Sequence, residues 1–387
     1  MQVNYNTPTE QWQIDYSEGF SVEQTVDDYI VRLKEDVVKN MTSVADHDRF
    51  LPSGWKVVRG LGLPGLYVVR PTSALSLASP LSSVDNFEFF EKDQRISLDP
   101  LYQQNSASIQ TSDPQFTQVW GVNPARGAFH INCKPLWDAG DIGSDNDYVV
   151  VLDTGIDLGH PDLRDNGAGE HGRNFTINDP EDWMDRQGHG THCAGTIGAR
   201  GNNNVGLVGV CHRIKLIPVK VLGDDGSGSL SGIVAGLNYI SSLKMNNNVN
   251  ITAVNASLGG EFDCPSSLSS AIGSLMRADI VFCASAGNEG TNNDEIPHAP
   301  SNCAHISVAA HRIDGNPALH FGRDFSCYGP RTVDVAAPGE AIYSTMPGNR
   351  YANKNGTSMA CPHVTGAVAL LRSKFPSASA TQVINAL

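Results

Sequence analysis

Apolar and polar residues follow two different patterns along this chain, and the longer region, from Trp120 onward, has the simpler one. Its runs of branched apolar residues are YVVVLD, IKLIPVKVL, ITAVNASLG, DIVFCASAGN, HISVAA and VDVAAPG. Helical segments lie between them and begin at HGTHCAGT, within SGIVAGLNYISSL, at Ser266 and at GTSMACPHV. Apolar strands that alternate with helices predict an α/β domain with a mostly parallel sheet covered on both faces. In such sheets, active sites lie beyond the carboxyl ends of the strands.

The region before Trp120 has shorter and more amphipathic elements. From about Asp27 to Ser97 the pattern predicts strand, helix, two strands, short helix and strand, with strands at DDYIVRLK, WKVVRGL, LYVVRPT and NFEFFEKDQRIS. The sequence then becomes polar and loses periodicity, as expected of an exposed linker. We therefore predict an unassigned leader at residues 1–24, a small α+β domain at 25–98, a linker at 99–112 and an α/β domain at 113–387.

Charge and composition exclude two classes of partner. The chain has 387 residues, a net charge of -14 and a pI of about 5.2. Nucleic-acid binding requires a basic face, so no nucleic-acid partner is expected. No apolar run approaches the roughly 18 to 20 residues of a membrane span. The start of the chain, MQVNYNTPTEQWQIDYSEGF, also lacks the pattern of a secretory signal.

Three segments offer the groups of a nucleophilic catalytic site. Asp153 ends the strand YVVVLD, His189 lies in GHGTHCAGT, and Ser358 lies at the first turn of the helix that opens at GTSMACPHV. A serine becomes a useful nucleophile when an imidazole takes its proton and a carboxylate orients that imidazole. Asn288, which follows the strand DIVFC, can donate to the oxyanion that the attack creates.

Each of these residues also has an ordinary structural explanation. Aspartate at a strand end and asparagine beside glycine are common turn residues, and a serine that opens a helix is usually an N-cap. A histidine is more often a structural side chain than a catalyst. Only the joint occurrence of the four favours catalysis over these explanations.

The segments VLDTGID, HGTHCAGT, ASAGNEG and GTSMACPHV resemble the four signature blocks of the subtilisin family of serine proteases, in the same order, from about Asp113 to the end of the chain. HGTHCAGT, with its Cys193, is most similar to the proteinase K branch. The resemblance implies a subtilisin-like three-layer fold and a triad of Asp153, His189 and Ser358. It also implies broad-specificity peptide hydrolysis through an acyl-enzyme. A catalytically silent binding protein with the same fold is the alternative from another functional class.

The resemblance also implies how a polypeptide substrate binds. Two segments would flank it as added strands, and a third would line the primary specificity pocket, whose small residues suggest room for a sizeable apolar side chain. The GDDGSGS stretch alone is typical of an ordinary loop. The predicted residues are Gly226, Ser227, Gly228, Ser229 and Leu230 in the first segment, Ser257, Leu258 and Gly259 in the second, and Ala284 to Gly287 with Glu289 in the third.

A calcium site is implied by the segment GNNNVGLVGV, which resembles the family's calcium loop. Hard oxygen donors of this kind suit calcium, although Asn-rich loops are often simply turns. A zinc site at His189 and His192 is excluded, because the spacing is three and no glutamate follows the first histidine. The expected calcium ligands are Asp113, Asp162, Gly201, Asn203, Val205 and Leu207.

The eight cysteines are too sparse for a disulfide-built scaffold. Cys264 and Cys303 resemble a disulfide pair of secreted family members. Cys193, Cys283 and Cys361 are expected to be buried thiols. The sequence leaves the pairing of Cys133, Cys211 and Cys327 open.

The first domain resembles the family's propeptide, which inhibits by laying its last strand into the active-site cleft. That strand would be NFEFFEKDQRIS, and maturation would cut between about Ser97 and Asp113. A permanent accessory domain is the alternative. A secreted, monomeric enzyme is expected, and the end of the chain at TQVINAL suggests that further family residues are missing.

Overall fold

A computed structural model describes residues 28–39, 50–72, 85–98, 102–103, 114–126, 128–176, 179–320 and 323–387. The predicted leader, most of the linker and Asp113 lie outside the described residues. So does the stretch in which the second helix of the small domain was predicted.

The N-terminal unit is an antiparallel sheet with a short helix, as its pattern predicts. The sheet has the strand order β2-β3-β1-β4. Alternate residues of β1 enter different clusters, since Ile30 faces the helices of the larger domain and Val31 packs with Tyr67 and Val69 on the opposite side. The elements are β1 (Tyr29–Leu33), α1 (Glu35–Lys39), β2 (Trp55–Gly60), β3 (Leu66–Pro71), β4 (Phe87–Lys92) and β5 (Arg95–Ser97).

The rest of the chain contains the predicted succession of strands and helices. It begins with β6 (Tyr102–Gln103), α2 (Lys134–Asp138), β7 (Gly143–Asp153), β8 (Arg173–Asn174), α3 (His189–Gly198), β9 (Arg213–Lys220), β10 (Ser227–Ser229), α4 (Leu230–Asn247), β11 (Ile251–Ala256), α5 (Ser266–Arg277) and β12 (Val281–Ser285). It continues with β13 (Ile306–His311), β14 (Leu319–His320), β15 (Arg323–Asp324), β16 (Val335–Pro338), β17 (Ile342–Met346), β18 (Arg350–Asn355), α6 (Thr357–Lys374) and α7 (Ala380–Ile384).

A seven-stranded sheet with the order β16-β13-β12-β11-β7-β9-β8 forms the centre of the larger domain, and all its strand pairs are parallel. Val149 and Val151 of β7 pack with α3 and α6 on one face. Val150 and Leu152 pack with α4 and α5 on the other. The predicted three-layer α/β fold is therefore confirmed, and it explains the continuous apolar runs, because strands buried on both faces need apolar residues at every position.

Two acidic side chains of the N-terminal unit lie at the starts of helices in the larger domain. The Glu91 carboxylate accepts hydrogen bonds from the backbone N–H groups of Ser266 and Ser267, at 2.8 and 2.9 Å, where α5 begins. Asp93 accepts from the Ser231 N–H at the start of α4, at 3.0 Å. Free N–H groups and the helix dipole both favour an anion at these positions. The N-terminal unit thus rests on the outer helical layer.

The structure contains a disulfide between Cys264 and Cys303, with an S–S distance of 1.96 Å. The other six cysteines are buried free thiols, which include the three whose pairing was left open. Within the described part of the chain, we find no helix with the length and apolar character needed to cross a membrane.

We predict that His363 makes folding stability depend on pH. Burial in α6 lowers its pKa to about 4, and its Nδ1 lies 2.9 Å from the Met359 carbonyl oxygen. The unfolded histidine, with a pKa near 6.5, takes up a proton that the folded one refuses, so stability is complete above about pH 6.5 and falls as the pH decreases toward 4. Replacing His363 by Gln in a Ser358→Ala background should reduce that fall by about 3 kcal/mol, measured by urea unfolding at several pH values.

His130→Gln on a partly exposed loop serves as the control and should retain the wild-type pH dependence. An H363Q protein whose stability falls as steeply as that of the wild type would contradict the assignment.

Candidate active site

The acid and base candidates meet where β7 ends and α3 begins. His189 Nδ1 lies 2.8 Å from Asp153 Oδ1 and 2.9 Å from Oδ2, and both side chains are 0% exposed. Asp153 Oδ1 also accepts from the Thr154 N–H at 2.7 Å, which fixes the carboxylate. A buried imidazole held in this way has one defined orientation and presents its other nitrogen, Nε2, for reaction.

Ser358 is the second residue of α6 and lies against the loop that follows β11. Its hydroxyl donates to the Ser257 carbonyl oxygen at 3.3 Å, and Ser257 Oγ donates back to the Ser358 carbonyl at 2.9 Å. His189 Nε2 is buried and makes no hydrogen bond to any described residue. A buried polar atom in that state costs about 1–3 kcal/mol, and such atoms recur at reactive sites. This nitrogen is the one that a catalytic serine would give its proton to.

The Asn288 side chain is oriented by Thr357. Its Oδ1 accepts from the Thr357 backbone N–H at 2.8 Å and from Thr357 Oγ1 at 2.9 Å. Because both donors lie on the oxygen side of the amide, the Nδ2 hydrogens face away from Thr357. The sequence analysis missed this role of Thr357, although its position immediately before Ser358 was an available signal.

Asp185 is a second missed residue, and it organises the loop that carries His189. Its Oδ1 accepts from Thr154 Oγ1 and from the N–H groups of Gln187 and Gly188, while Oδ2 accepts from the Thr191 N–H and Oγ1. The distances run from 2.6 to 3.0 Å, and the carboxylate is fully buried. Its place four residues before His189, in DRQGH, was the only hint in the sequence.

The two segments predicted to flank a substrate hold a strand of the chain itself. β10 pairs antiparallel with β5, and the Gly226 carbonyl accepts from the Leu98 N–H at 3.0 Å. On the other side, the Gly259 N–H donates to the Ser97 carbonyl at 3.2 Å. NFEFFEKDQRIS is thus divided, because its first half is β4 of the N-terminal sheet and only Arg95–Ser97 enters the cleft.

The chain makes further contacts beyond the nucleophile. Tyr102 and Gln103 of β6 pair antiparallel with Asn355 and Lys354 of β18, just before Ser358. One strand of the chain therefore approaches Ser358 from the side of β10, and another leaves along β18.

Other predicted substrate residues have different surroundings from those expected. The side chains of Leu230 and Leu258 are in the hydrophobic core, so only their backbones face the cleft, and the Leu230 N–H donates to the Gln94 carbonyl at 2.7 Å. Gly259, Gly287 and Glu289 do surround a space beside Ser358, but the ring of His298 lies there as well. The expectation of room for a large apolar side chain overlooked His298, which is distant in sequence from the signature blocks.

The predicted calcium ligands that can be described surround Asp162. This carboxylate is 0% exposed and accepts from Asn203 Nδ2, the Leu207 N–H and Tyr351 Oη at 3.2, 3.0 and 2.9 Å. The loop turns tightly around it, since the φ of Gly206 is +51° and a Cβ there would lie 2.1 Å from Asp162 Oδ2. A buried carboxylate beside an amide and loop carbonyls fits a hard cation such as calcium.

Cys193 lies behind the site. Its Sγ lies within 4.8 Å of ligand atoms of Asp153 and His189 and donates to the Ser358 carbonyl at 3.4 Å. Burial, and then the charge of Asp153, raise the pKa of this thiol well above its usual range. Burial also raises the pKa of the Cys361 thiol. Neither cysteine is suited to act as a thiolate nucleophile.

Comparison with known proteins gives consistent matches. The model of the subtilase family matches residues 144–387. A thermostable alkaline protease of Halalkalibacterium halodurans is 39% identical over 267 residues, which cover 69% of this chain and 66% of that protein. Subtilisin Savinase of Lederbergia lenta is 42% identical over 240 residues, 62% of this chain and 81% of that protein. An intracellular serine protease of Paenibacillus polymyxa is 42% identical over 230 residues, 58% of this chain and 66% of that protein. The chain thus spans about two thirds of the length of the first of these relatives.

We predict that Asp185→Asn destabilises the protein by about 3 kcal/mol, because an amide nitrogen would replace one oxygen of a buried carboxylate that receives only donors. Urea unfolding of both proteins in a Ser358→Ala background measures the difference. Asp179→Asn is the matched control, since Asp179 is exposed and accepts only from the Glu181 N–H. Equal losses for the two variants would contradict the anchoring role of Asp185.

Proposed function

The chain belongs to the subtilase family, and we propose that it is a serine endopeptidase that hydrolyses peptide bonds of proteins through an acyl-enzyme at Ser358. The observation that carries the proposal is the buried pair of His189 and Asp153 beside Ser358, together with Asn288 held by Thr357. The names of the three relatives describe proteases of this kind.

The reaction follows from the position of each group. His189 Nε2 takes the proton of Ser358 Oγ as the oxygen attacks the carbonyl carbon, and Asp153 stabilises the imidazolium that forms. Asn288 Nδ2 and the Ser358 N–H donate to the oxyanion. His189 then protonates the leaving amine, and a water activated by the same nitrogen hydrolyses the ester.

We also infer that residues 25–98 form an inhibitory propeptide and that the enzyme is made as a zymogen that processes itself. Arg95–Ser97 uses the same backbone groups of Gly226–Ser229 and Gly259 that an extended substrate would use. Since contacts on one side of Ser358 end at Leu98 and those on the other begin at Tyr102, the bond to be cut lies between these two residues. A permanent accessory domain would show the same contacts but would remain attached.

The silent binding protein remains the alternative function. It is less favoured, because all four catalytic positions hold competent residues and His189 is already oriented by Asp153. A binding protein would have no need of a buried, correctly held base.

Calcium, secretion and a monomeric state complete the proposal. Asp162, Asn203 and the carbonyls of Gly201, Val205 and Leu207 would hold the ion, with Asp113 as a further ligand by resemblance. Bound calcium would join the loop after α3 to the turn that carries Asp162. The disulfide between Cys264 and Cys303 fits an oxidising compartment.

We predict that a fluorophosphonate labels Ser358 and that the active protein begins at one of residues 99–102. Peptide mapping of the labelled protein and N-terminal sequencing test both statements. Ser358→Ala should stay unlabelled, uncut and inactive on denatured casein.

An accessory domain would leave the active chain uncut. Failure of the wild-type protein to take up the label, before and after removal of residues 1–112, would refute the endopeptidase.

We predict that excess chelator lowers the thermal midpoint by about 5–10 °C, because an ion that binds only the folded state adds about 2.7 kcal/mol at a hundredfold excess over its Kd. Differential scanning calorimetry with and without calcium measures this change. Asp162→Asn should have the lower midpoint in both conditions and respond little to calcium. If wild type and D162N show the same response to chelator, the ion is bound elsewhere.

A further inference from the structure

The space between the two glycine-containing walls beside Ser358 has a polar floor. One wall is Ser257–Gly259, whose first residue contacts Ser358, and the other is Gly287–Glu289, which includes Asn288. The walls follow β11 and β12, which are neighbours in the sheet. A substrate side chain next to the bond under attack must therefore enter between Gly259 and Gly287.

His298 closes this space from below. Its side chain is 0% exposed. A Cβ added to Gly259 would lie 2.4 Å from His298 Cε1 and 3.0 Å from Nε2. A Cβ added to Gly287 would lie 2.8 Å from Cδ2 and 2.9 Å from Nε2. The imidazole edge that carries Nε2 therefore lies against both walls, and both wall positions need glycine to leave it room.

Hydrogen bonds fix the orientation of this ring. Nδ1 lies 3.1 Å from Ser301 Oγ, and that hydroxyl donates its hydrogen to the His298 carbonyl at 2.9 Å. Asn293 Nδ2 donates to Ser301 Oγ at 3.3 Å and to the Ala286 carbonyl at 2.8 Å, which ties this cluster to the pocket wall. Because the single hydroxyl hydrogen is used elsewhere, Nδ1 is the donor to Ser301. In the neutral ring, Nε2 is then an acceptor.

Glu289 adds a second acceptor to the same wall. Its Oε2 lies 2.8 Å from the position of a Cβ on Gly287, and Cys327 Sγ donates to that oxygen at 3.3 Å. A large apolar side chain in this pocket would cover two acceptors without offering a donor, which is unfavourable. An amide or hydroxyl group would satisfy them.

We propose that His298 is a specificity-determining residue that forms the floor of the primary pocket and selects substrates with a hydrogen-bond donor side chain, such as glutamine, over large aromatic ones. The inference rests on the proposed endopeptidase function and names its substrate class. It differs from the expectation drawn from the small wall residues alone.

The experiment compares kcat/KM of the processed enzyme on four peptide p-nitroanilides that differ only in the residue before the cleaved bond: Gln, Ala, Phe and Glu. The wild type should prefer Gln to Phe and should hydrolyse Glu poorly because of Glu289. His298→Ala should raise the Phe-to-Gln ratio of kcat/KM by about tenfold or more, mainly through a lower KM for Phe. Ser301→Ala should change the ratio in the same direction by less.

His130→Ala, on the segment before α2, is the matched control and should keep the wild-type ratio. If His298→Ala does not fold, His298→Asn, which keeps a smaller polar group, replaces it with the same expected direction. A wild type that prefers Phe or Glu to Gln, or a ratio that changes by less than twofold in the variants, would overturn the inference.

The two proposals fail in different ways. Hydrolysis of the Ala substrate with labelling of Ser358, but no effect of His298, would leave the endopeptidase intact and remove only the specificity claim. No hydrolysis of any substrate and no labelling would remove both.

Discussion

The hydrogen bond between His189 and Asp153 depends on one constraint, which is that the carboxyl ends of parallel strands meet at a single edge. β7 ends at Asp153 near the middle of the sheet, and its neighbours β11 and β12 end at the loops that carry Ser257 and Asn288. The helix α3 begins with His189, and α6 begins one residue before Ser358. Residues from five distant parts of the chain therefore converge without any of them being close in sequence.

The same edge explains why the N-terminal unit can fit the cleft so directly. β10 and the segment around Gly259 present backbone groups that no neighbouring strand of the sheet uses, so any extended chain can pair with them. β5 does so, while Glu91 and Asp93 contact the starts of α5 and α4. Recognition by backbone groups and helix starts requires little of the sequence of the strand in the cleft, which fits a site that accepts many polypeptides.

Periodicity predicted much of this architecture, and the reason lies in burial. Strands such as ITAVNA are covered on both faces, so their apolar runs are continuous and easy to recognise. The triad candidates were found because each follows a strand or opens a helix within a recognisable block. His298, Thr357 and Asp185 were missed because their roles depend on what packs against them in three dimensions. An isolated histidine in IPHAPS shows nothing of the two glycines that approach its ring.

Buried charge imposes a further requirement on the site. Asp153 and Asp185 are both fully buried within one turn of structure from His189, and carboxylates removed from water need compensation. Hydrogen-bond donors supply most of it for Asp185, but two lysines also lie in this region. Lys220, opposite Asp153 in the sheet, donates to the Thr154 carbonyl at 2.7 Å and to Asp224 at 2.9 Å.

Lys354 of β18 is the second of these lysines, and it is only 2% exposed. Burial lowers its pKa, whereas Cys193, Asp185 and Asp153 oppose that change by favouring its positive charge. A cation so placed also disfavours protonation of His192, whose pKa is lowered first by burial and then by Lys354. The site therefore keeps its second histidine neutral, with Nε2 near the carbonyls of Ile342 and Ala352, and this leaves His189 as the imidazole that is held by a carboxylate. Electrostatics and packing thus assign the base to the same residue.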